Sequence, residues 1–185
     1  TLMGHAIQHA VAKTGLESDI FEDVVVGSVL NVGTAGGNIA RMASFAAGLP
    51  VTVPGQTIDR QCSSGLMAIA TAAKQITFDG MEAVIAGGQE NITAVQNPYF
   101  EWVGKEFDPN VVKHVKAAYM PMLQTAEYVA KKYGVSREQQ DAYSLESQMR
   151  TARAQQNGIF DNEIVAIQTK MKVQNKETGE LSFKE

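Results

Sequence analysis

The chain contains one cysteine, Cys62, set between a strand-like run, Thr57-Ile58-Asp59-Arg60-Gln61, and an apolar run, Leu66-Met67-Ala68-Ile69-Ala70. Ser63-Ser64-Gly65 joins the two and crowds neither the sulfur nor an incoming acyl group. This spacing places a thiol at the first turn of a helix. Unpaired backbone N–H groups and the positive end of the helix dipole there favour negative charge, and thiolate is the form that attacks carbonyls. The chemistry on offer is nucleophilic catalysis through a thioester, with the same N–H groups available to a developing oxyanion. A competing reading makes Cys62 a small buried hydrophobe. A redox sensor is the weaker alternative, since the chain supplies no resolving cysteine.

Other reactive side chains are sparse. The histidines are His5, His9 and His114. His5 and His9 stand four apart on one predicted helix, a spacing that can bind zinc, but no acidic or cysteine partner lies near, so a helix-flank pair is expected and no metal. Tyr99, Phe100, Trp102 and Phe107 gather in a stretch broken by Asn97-Pro98 and Asp108-Pro109. They fit a substrate channel, a subunit interface or ordinary loop packing equally well.

With 185 residues, 44% of them hydrophobic and 19% charged, and a net charge of −4, the composition is that of a soluble globular protein. No basic stretch suits a nucleic-acid backbone and no apolar run approaches a membrane span. A lone cysteine cannot close an internal disulfide, which points to a reducing, cytoplasmic setting. The chain opens on Thr1 inside a helical pattern and closes on a strand-like Leu181-Ser182-Phe183-Lys184-Glu185 with no partner after it. It reads as a piece of a longer protein.

The elements that must position Cys62 follow from periodicity. Residues 4–14 read as a helix stopped by Gly15. The β-branched run Val24–Leu30 reads as a strand covered on both faces. A helix spans Ile39–Ala47 up to Gly48, and the strand Thr57–Gln61 leads to the helix that starts near Cys62 and runs through Ile76. That helix is apolar on nearly every side, so burial all round is expected, with a third layer beyond it. Glu82–Ala86 is the next strand, leaving through Gly87-Gly88. Strand and helix alternate, which predicts an α/β layered core with parallel strands. From about residue 94 the pattern changes. Loop-like sequence gives way to helices over Met122–Tyr133 and from Ser136, with Gln139 completing a capping box, to Asn157-Gly158. Glu163–Ile167 and Lys170–Val173 are strand candidates, and Lys176-Glu177-Thr178-Gly179 is a turn.

Asp59-Arg60-Gln61-Cys62-Ser63-Ser64-Gly65-Leu66 resembles the acyl-enzyme signature of the thiolases. Gly37-Asn38-Ile39-Ala40-Arg41 is similar to the family's N-x-A-R segment. Ala86-Gly87-Gly88-Gln89-Glu90-Asn91-Ile92-Thr93 is similar to its A-G-G-x-E-x-M-S element, with Ile92 and Thr93 replacing Met and Ser. Thr125–Ala130, Ser136–Asp141 and Ala154–Val165 resemble the thiolase loop domain, so the likeness spans nearly the whole chain in family order.

The resemblance implies an α-β-α-β-α layered fold, of which this chain holds the N-terminal half. Residues 1–93 would form the core half without its first strand, and 94–185 an incomplete loop domain. It implies an acyltransferase with Cys62 as the acyl-thioester nucleophile, its backbone N–H a possible oxyanion donor. The reaction would pass acyl groups between coenzyme A and acetyl-CoA, in acetoacetyl-CoA synthesis or 3-oxoacyl-CoA thiolysis. Coenzyme A is then a co-substrate and no cofactor is needed. Met122, after Pro121, falls where thiolases place a methionine lining the acyl pocket, although core packing explains such a residue equally well. Lys113, His114 and Lys116 could meet coenzyme A phosphates or form a solvated helix face. Arg41 is expected to brace the neighbourhood of the site or a dimer. The family assembles as homodimers or homotetramers, without nucleic acid or membrane. Its activating His, its Asn and its second Cys belong to a C-terminal half whose motifs do not occur here, so the chain alone should be inactive. The alternatives are a ketoacyl-synthase-like condensing enzyme, whose pattern runs D-T-A-C-S-S in place of Asp59-Arg60-Gln61-Cys62, and a non-catalytic binding or structural module.

Overall fold

A computed structural model describes residues 1–184. Two compact units emerge, one formed by Thr1–Val103 with the C-terminal stretch from Ile167, the other by Gly104–Ala166. The sequence pattern had put a division after residue 93. The helix that crosses this point joins the first unit because it buries Val95 there, 6% exposed.

The first unit is built around a parallel sheet of order β2-β1-β3, with β1 at Phe21–Gly27, β2 at Gln56–Ile58 and β3 at Ala83–Gly88. Val24, Val25 and Val26 are fully buried in the central strand. Because successive side chains point to opposite faces, one apolar run serves two cores. Val24 and Val26 pack with Met3, Ile7, Ala40 and Ala43 from helices α1 (Leu2–Thr14) and α2 (Ile39–Ala46). Val25 packs on the other face with Ala68 and Ala72 of α3 (Ser64–Lys74). Among the described residues the result is a three-layer α/β/α arrangement of the expected class.

Helix α3 departs from expectation. Its alanines meet the sheet, but Leu66 and Ile69 are 72% and 54% exposed, so only one face is buried. An apolar circumference calls for a neighbour on each side, and among the described residues only the sheet side has one. The helix runs on into a π-helical turn at Gln75–Asp79. Gln75 there donates to Asp23 Oδ2 (2.6 Å), which also accepts from Gln56 Nε2 (2.8 Å). A buried carboxylate in the central strand is tolerable because it is fully hydrogen-bonded.

The loop expected after residue 94 is also overturned: Ile92–Val103 is a helix, α4, with Pro98 inside it. Proline removes one intrahelical N–H but keeps a helical φ, and the burial of Val95 offsets the lost bond. Glu163–Ile167 forms no strand, having no ladder partner among the described residues. The strand candidates on either side of the Lys176–Gly179 turn form: β5 (Leu181–Lys184) closes an antiparallel hairpin with β4 (Met171–Gln174).

The second unit is helical: α5 (Pro109–His114), α6 (Met122–Tyr133) and α7 (Arg137–Gln156). Gly134 ends α6 in the left-handed region, φ 66°, and Ser136 with Gln139 forms the expected capping box on α7. At the α7 start, hydrogen bonds from its own backbone N–H and then from Ser136 hold the Glu138 carboxyl below the usual carboxylate range.

Candidate active site

Cys62 lies two residues before α3, in a tight turn rather than in the first helical turn. The turn is built locally. Asp59 Oδ1 accepts the Gln61 N–H (2.8 Å), and Gln61 adopts φ 48°, unusual for a residue with a Cβ. Such a conformation costs on the order of 1 kcal/mol or more and persists only where surrounding bonds enforce it. Here the Ser63 and Ser64 N–H groups reach back to the carbonyls of Arg60 (3.2 Å) and Gln61 (3.0 Å). The hydroxyls do the same: Ser63 Oγ donates to Arg60 O (2.8 Å), and Ser64 Oγ donates to Gln61 O (2.6 Å) while accepting from Arg60 N (2.8 Å). The two serines after the cysteine therefore fasten the elbow. The Cys62 amide itself has no acceptor among the described residues.

This elbow sits against the carboxyl ends of β1 and β3. A Cβ on Gly27 would lie 2.3 Å from the Ser64 carbonyl carbon and 2.5 Å from Gly65 N, so no other residue fits at that strand end. A Cβ on Gly88, register partner of Gly27, would be tight but less severely placed, 3.2 Å from Gly27 O and 3.3 Å from Gly65 Cα. Three glycines let the helix start dock onto two strand ends, the region where open α/β sheets bind ligands.

Cys62 is exposed and lines a cleft of about 440 Å³. One wall is the β1 exit, Val29 and Leu30; another is the β3 exit, Gln89 and Glu90; a third is α4, through Ile92, Gln96 and Phe100 at helical spacing. The walls are largely apolar, with the thiol and a few polar groups converging, as in small-molecule sites. The Glu90 carboxylate accepts from Val29 N, Leu30 N and Ser28 Oγ.

Other residues singled out in the sequence fall elsewhere. Arg41 braces: its guanidinium donates to the carbonyls of Val53 and Val51 (2.7 Å to the latter) and lies 4.1 Å over the Phe45 ring. Asn38, capping α2 at φ 58°, donates to Gly55 O and accepts from Thr57 Oγ (2.8 Å each), tying that helix to β2. Met122, the first residue of α6 in the Gly104–Ala166 unit, is 75% exposed. Lys113, His114 and Lys116 are exposed in the Gly104–Ala166 unit. His9 Nδ1 donates to the His5 carbonyl (2.9 Å). Of the aromatics in the first unit Phe100 lines the cleft, while in the other unit Phe107 stacks on Tyr119 at 4.1 Å. Sequence reasoning missed Glu90, Gln96 and Ile92. Glu90 and Ile92 stood inside a motif without a role, and only the helical phase of α4, masked by Pro98, would have disclosed Gln96.

A parallel α/β/α core with an exposed thiol on a strained elbow at the strand carboxyl ends belongs to the layered α/β class. The particular family is given by comparison with known proteins. Residues 1–182 match the model of the thiolase N-terminal domain, and the chain belongs to the thiolase family. It is 39% identical over 170 residues to a probable acetyl-CoA acyltransferase of Staphylococcus aureus, covering 87% of this chain and 43% of that protein. It is 42% identical over 156 residues to a 3-ketoacyl-CoA thiolase of Bacillus subtilis, covering 83% and 38%. The crystal structure of the Bacillus anthracis acetyl-CoA acetyltransferase superposes with a TM-score of 0.69 at 30% identity, over 97% of this chain and 46% of that one. The chain thus spans less than half the length of these relatives.

Proposed function

We propose that this chain is the nucleophile-bearing part of a thiolase-type acyltransferase, in which Cys62 carries the acyl group between two coenzyme A species. In the degradative direction Cys62 Sγ attacks the 3-oxo carbon of a 3-oxoacyl-CoA. The bond between that carbon and Cα breaks, its electron pair leaves as the enolate of acetyl-CoA, and a proton then neutralises it. The thiol of coenzyme A next takes the acyl group, regenerating the Cys62 thiol. In the synthetic direction Cys62 takes the acetyl group of one acetyl-CoA, releasing coenzyme A. The Cα of a second acetyl-CoA, having lost a proton, then attacks the thioester carbon, breaking its bond to Cys62 Sγ to give acetoacetyl-CoA. Splitting the transfer into two steps is the advantage of a covalent nucleophile, and a thioester stays reactive enough to be passed on.

The observation that carries this reading is the exposure of Cys62 on an apolar cleft at the carboxyl ends of β1 and β3. The Cys62 N–H, with no acceptor in the described fold, is the oxyanion donor of this proposal. The acid/base groups for the thiol and for Cα of acetyl-CoA come from residues outside this chain, so the chain alone turns over little substrate. The acting enzyme is a cytoplasmic homodimer or homotetramer. No helix among the described residues is long and apolar enough to cross a membrane.

The test is intact-mass analysis of the full-length protein after incubation with acetyl-CoA. An acetyl adduct on Cys62 that disappears in Cys62→Ala, together with loss of thiolysis by at least about 10³-fold, is expected for a covalent nucleophile. Undiminished turnover in that variant refutes the proposal.

A further inference from the structure

β1 and β3 leave the sheet side by side, paired as far as Gly27 and Gly88, and one carboxylate ties their two exit segments together. Glu90 Oε2 accepts the Val29 N–H at 2.8 Å; Oε1 accepts the Leu30 N–H at 3.0 Å and the Ser28 hydroxyl at 3.3 Å. Ser28 and Leu30 are 1% and 4% exposed. The two amides have no other acceptor among the described residues, so without Glu90 they would be left unpaired, and unpaired buried donors are costly. Val29, Leu30 and Glu90 all line the cleft that holds Cys62.

A carboxylate in a catalytic cleft is ordinarily read as a general acid or base. This one is engaged elsewhere: both of its oxygens already accept bonds from the β1 exit segment, so its place in the cleft is that of a brace. We propose that Glu90 is a positioning residue for acyl transfer, holding the Ser28–Leu30 wall at the spacing a coenzyme A thioester needs to reach Cys62, and carrying no proton itself. This rests on the thiolase reading of the site.

Glu90→Gln tests it in the full-length protein, because the amide keeps the volume but turns an NH2 donor toward either the Val29 or the Leu30 N–H, which bond different carboxylate oxygens. Three quantities are read: the alkylation rate of Cys62 by iodoacetamide, kcat and KM with an acyl-CoA substrate, and the pH profile. Iodoacetamide is small and needs no wall. Alkylation at the wild-type rate is expected, with kcat/KM lowered about 10²-fold, mostly through KM, as for misplaced substrate. Both limbs of the pH profile stay in place. Glu90→Asp, which keeps the charge but shortens the reach, shows the same KM-weighted loss to a smaller degree and replaces Glu90→Gln if that variant does not fold. Wild-type kinetics in either variant, alkylation falling in step with turnover, or a lost limb of the pH profile each overturn the assignment. If the wild-type protein is alkylated at Cys62 but takes no acyl group from acetyl-CoA, the thiolase reading fails and the Glu90 role falls with it. If the wild type turns over and the variants match it, the Glu90 assignment alone fails.

Discussion

The two compact units of this chain are stabilised by different means. Around β1 stability is long-range: three consecutive valines are sealed between helices that come from distant parts of the sequence. In Gly104–Ala166 no residue is buried, and Leu123 and Tyr143 stand 84% and 79% exposed. What holds that unit's helices is local: a capping box, a glycine stop and the (i, i+4) pairs Arg137–Asp141 and Arg150–Glu146. Surface pairs of this kind contribute only a few tenths of a kcal/mol each. The contrast teaches that the exposed thiol of Cys62 sits on the sealed part, where helix and strands fix one another and can hold a side chain in a set position.

The largest effect should come from Gly27→Ala. Its Cβ would overlap backbone rather than a side chain that can turn away. Destabilisation of about 3 kcal/mol or more is expected, together with loss of Cys62 positioning, measured by denaturant unfolding and by acylation rate. A variant of wild-type stability would mean the elbow does not dock on the β1 end. The comparison is sharpened by a matched pair of truncations. Val25→Ala removes two buried methyl groups between β1 and α3 and should cost about 2 kcal/mol. Leu123→Ala, in the other unit, should stay within about 0.5 kcal/mol, and equal losses would erase the distinction between the units.

A smaller effect is expected from Ser136→Ala, which breaks the α7 capping box at about 1 kcal/mol, read by helical circular dichroism. Its pH dependence has a definite sign. The folded Glu138 carboxyl lies below its ordinary range, so its contribution is present above that range and is lost as pH falls through the folded value. Ser136 supplies part of that lowering, so the gap between wild type and Ser136→Ala should narrow in acid without closing, because the cap itself does not titrate. A gap that widens on acidification would show the sign to be wrong.

Legibility in the sequence follows the same divide. The α7 capping box and the glycine stops after α1 and α6 were readable because each is settled within a few residues of chain. The two strands were also readable in place, though β1 ends at Gly27 rather than Leu30 and β2, ahead of Cys62, ends at Ile58 rather than Gln61. Helix α4 was not, since Asn97-Pro98 reads as a break until the burial of Val95 is known. The one-sided burial of α3 was missed for the opposite reason: an apolar circumference says that a helix can be covered, not which faces are.

By itself the sequence determined the lone cysteine, its flanking serines and the alternation of strand and helix, all of which depend on residue type and short spacing. Only the tertiary structure decided that Gly27, Gly65 and Gly88 meet beneath the elbow, and that Glu90 spans 60 residues of chain to hold Leu30. The physical reason is that a glycine's missing side chain and a carboxylate's chosen donors acquire meaning only once parallel strands, far apart along the chain, are brought side by side.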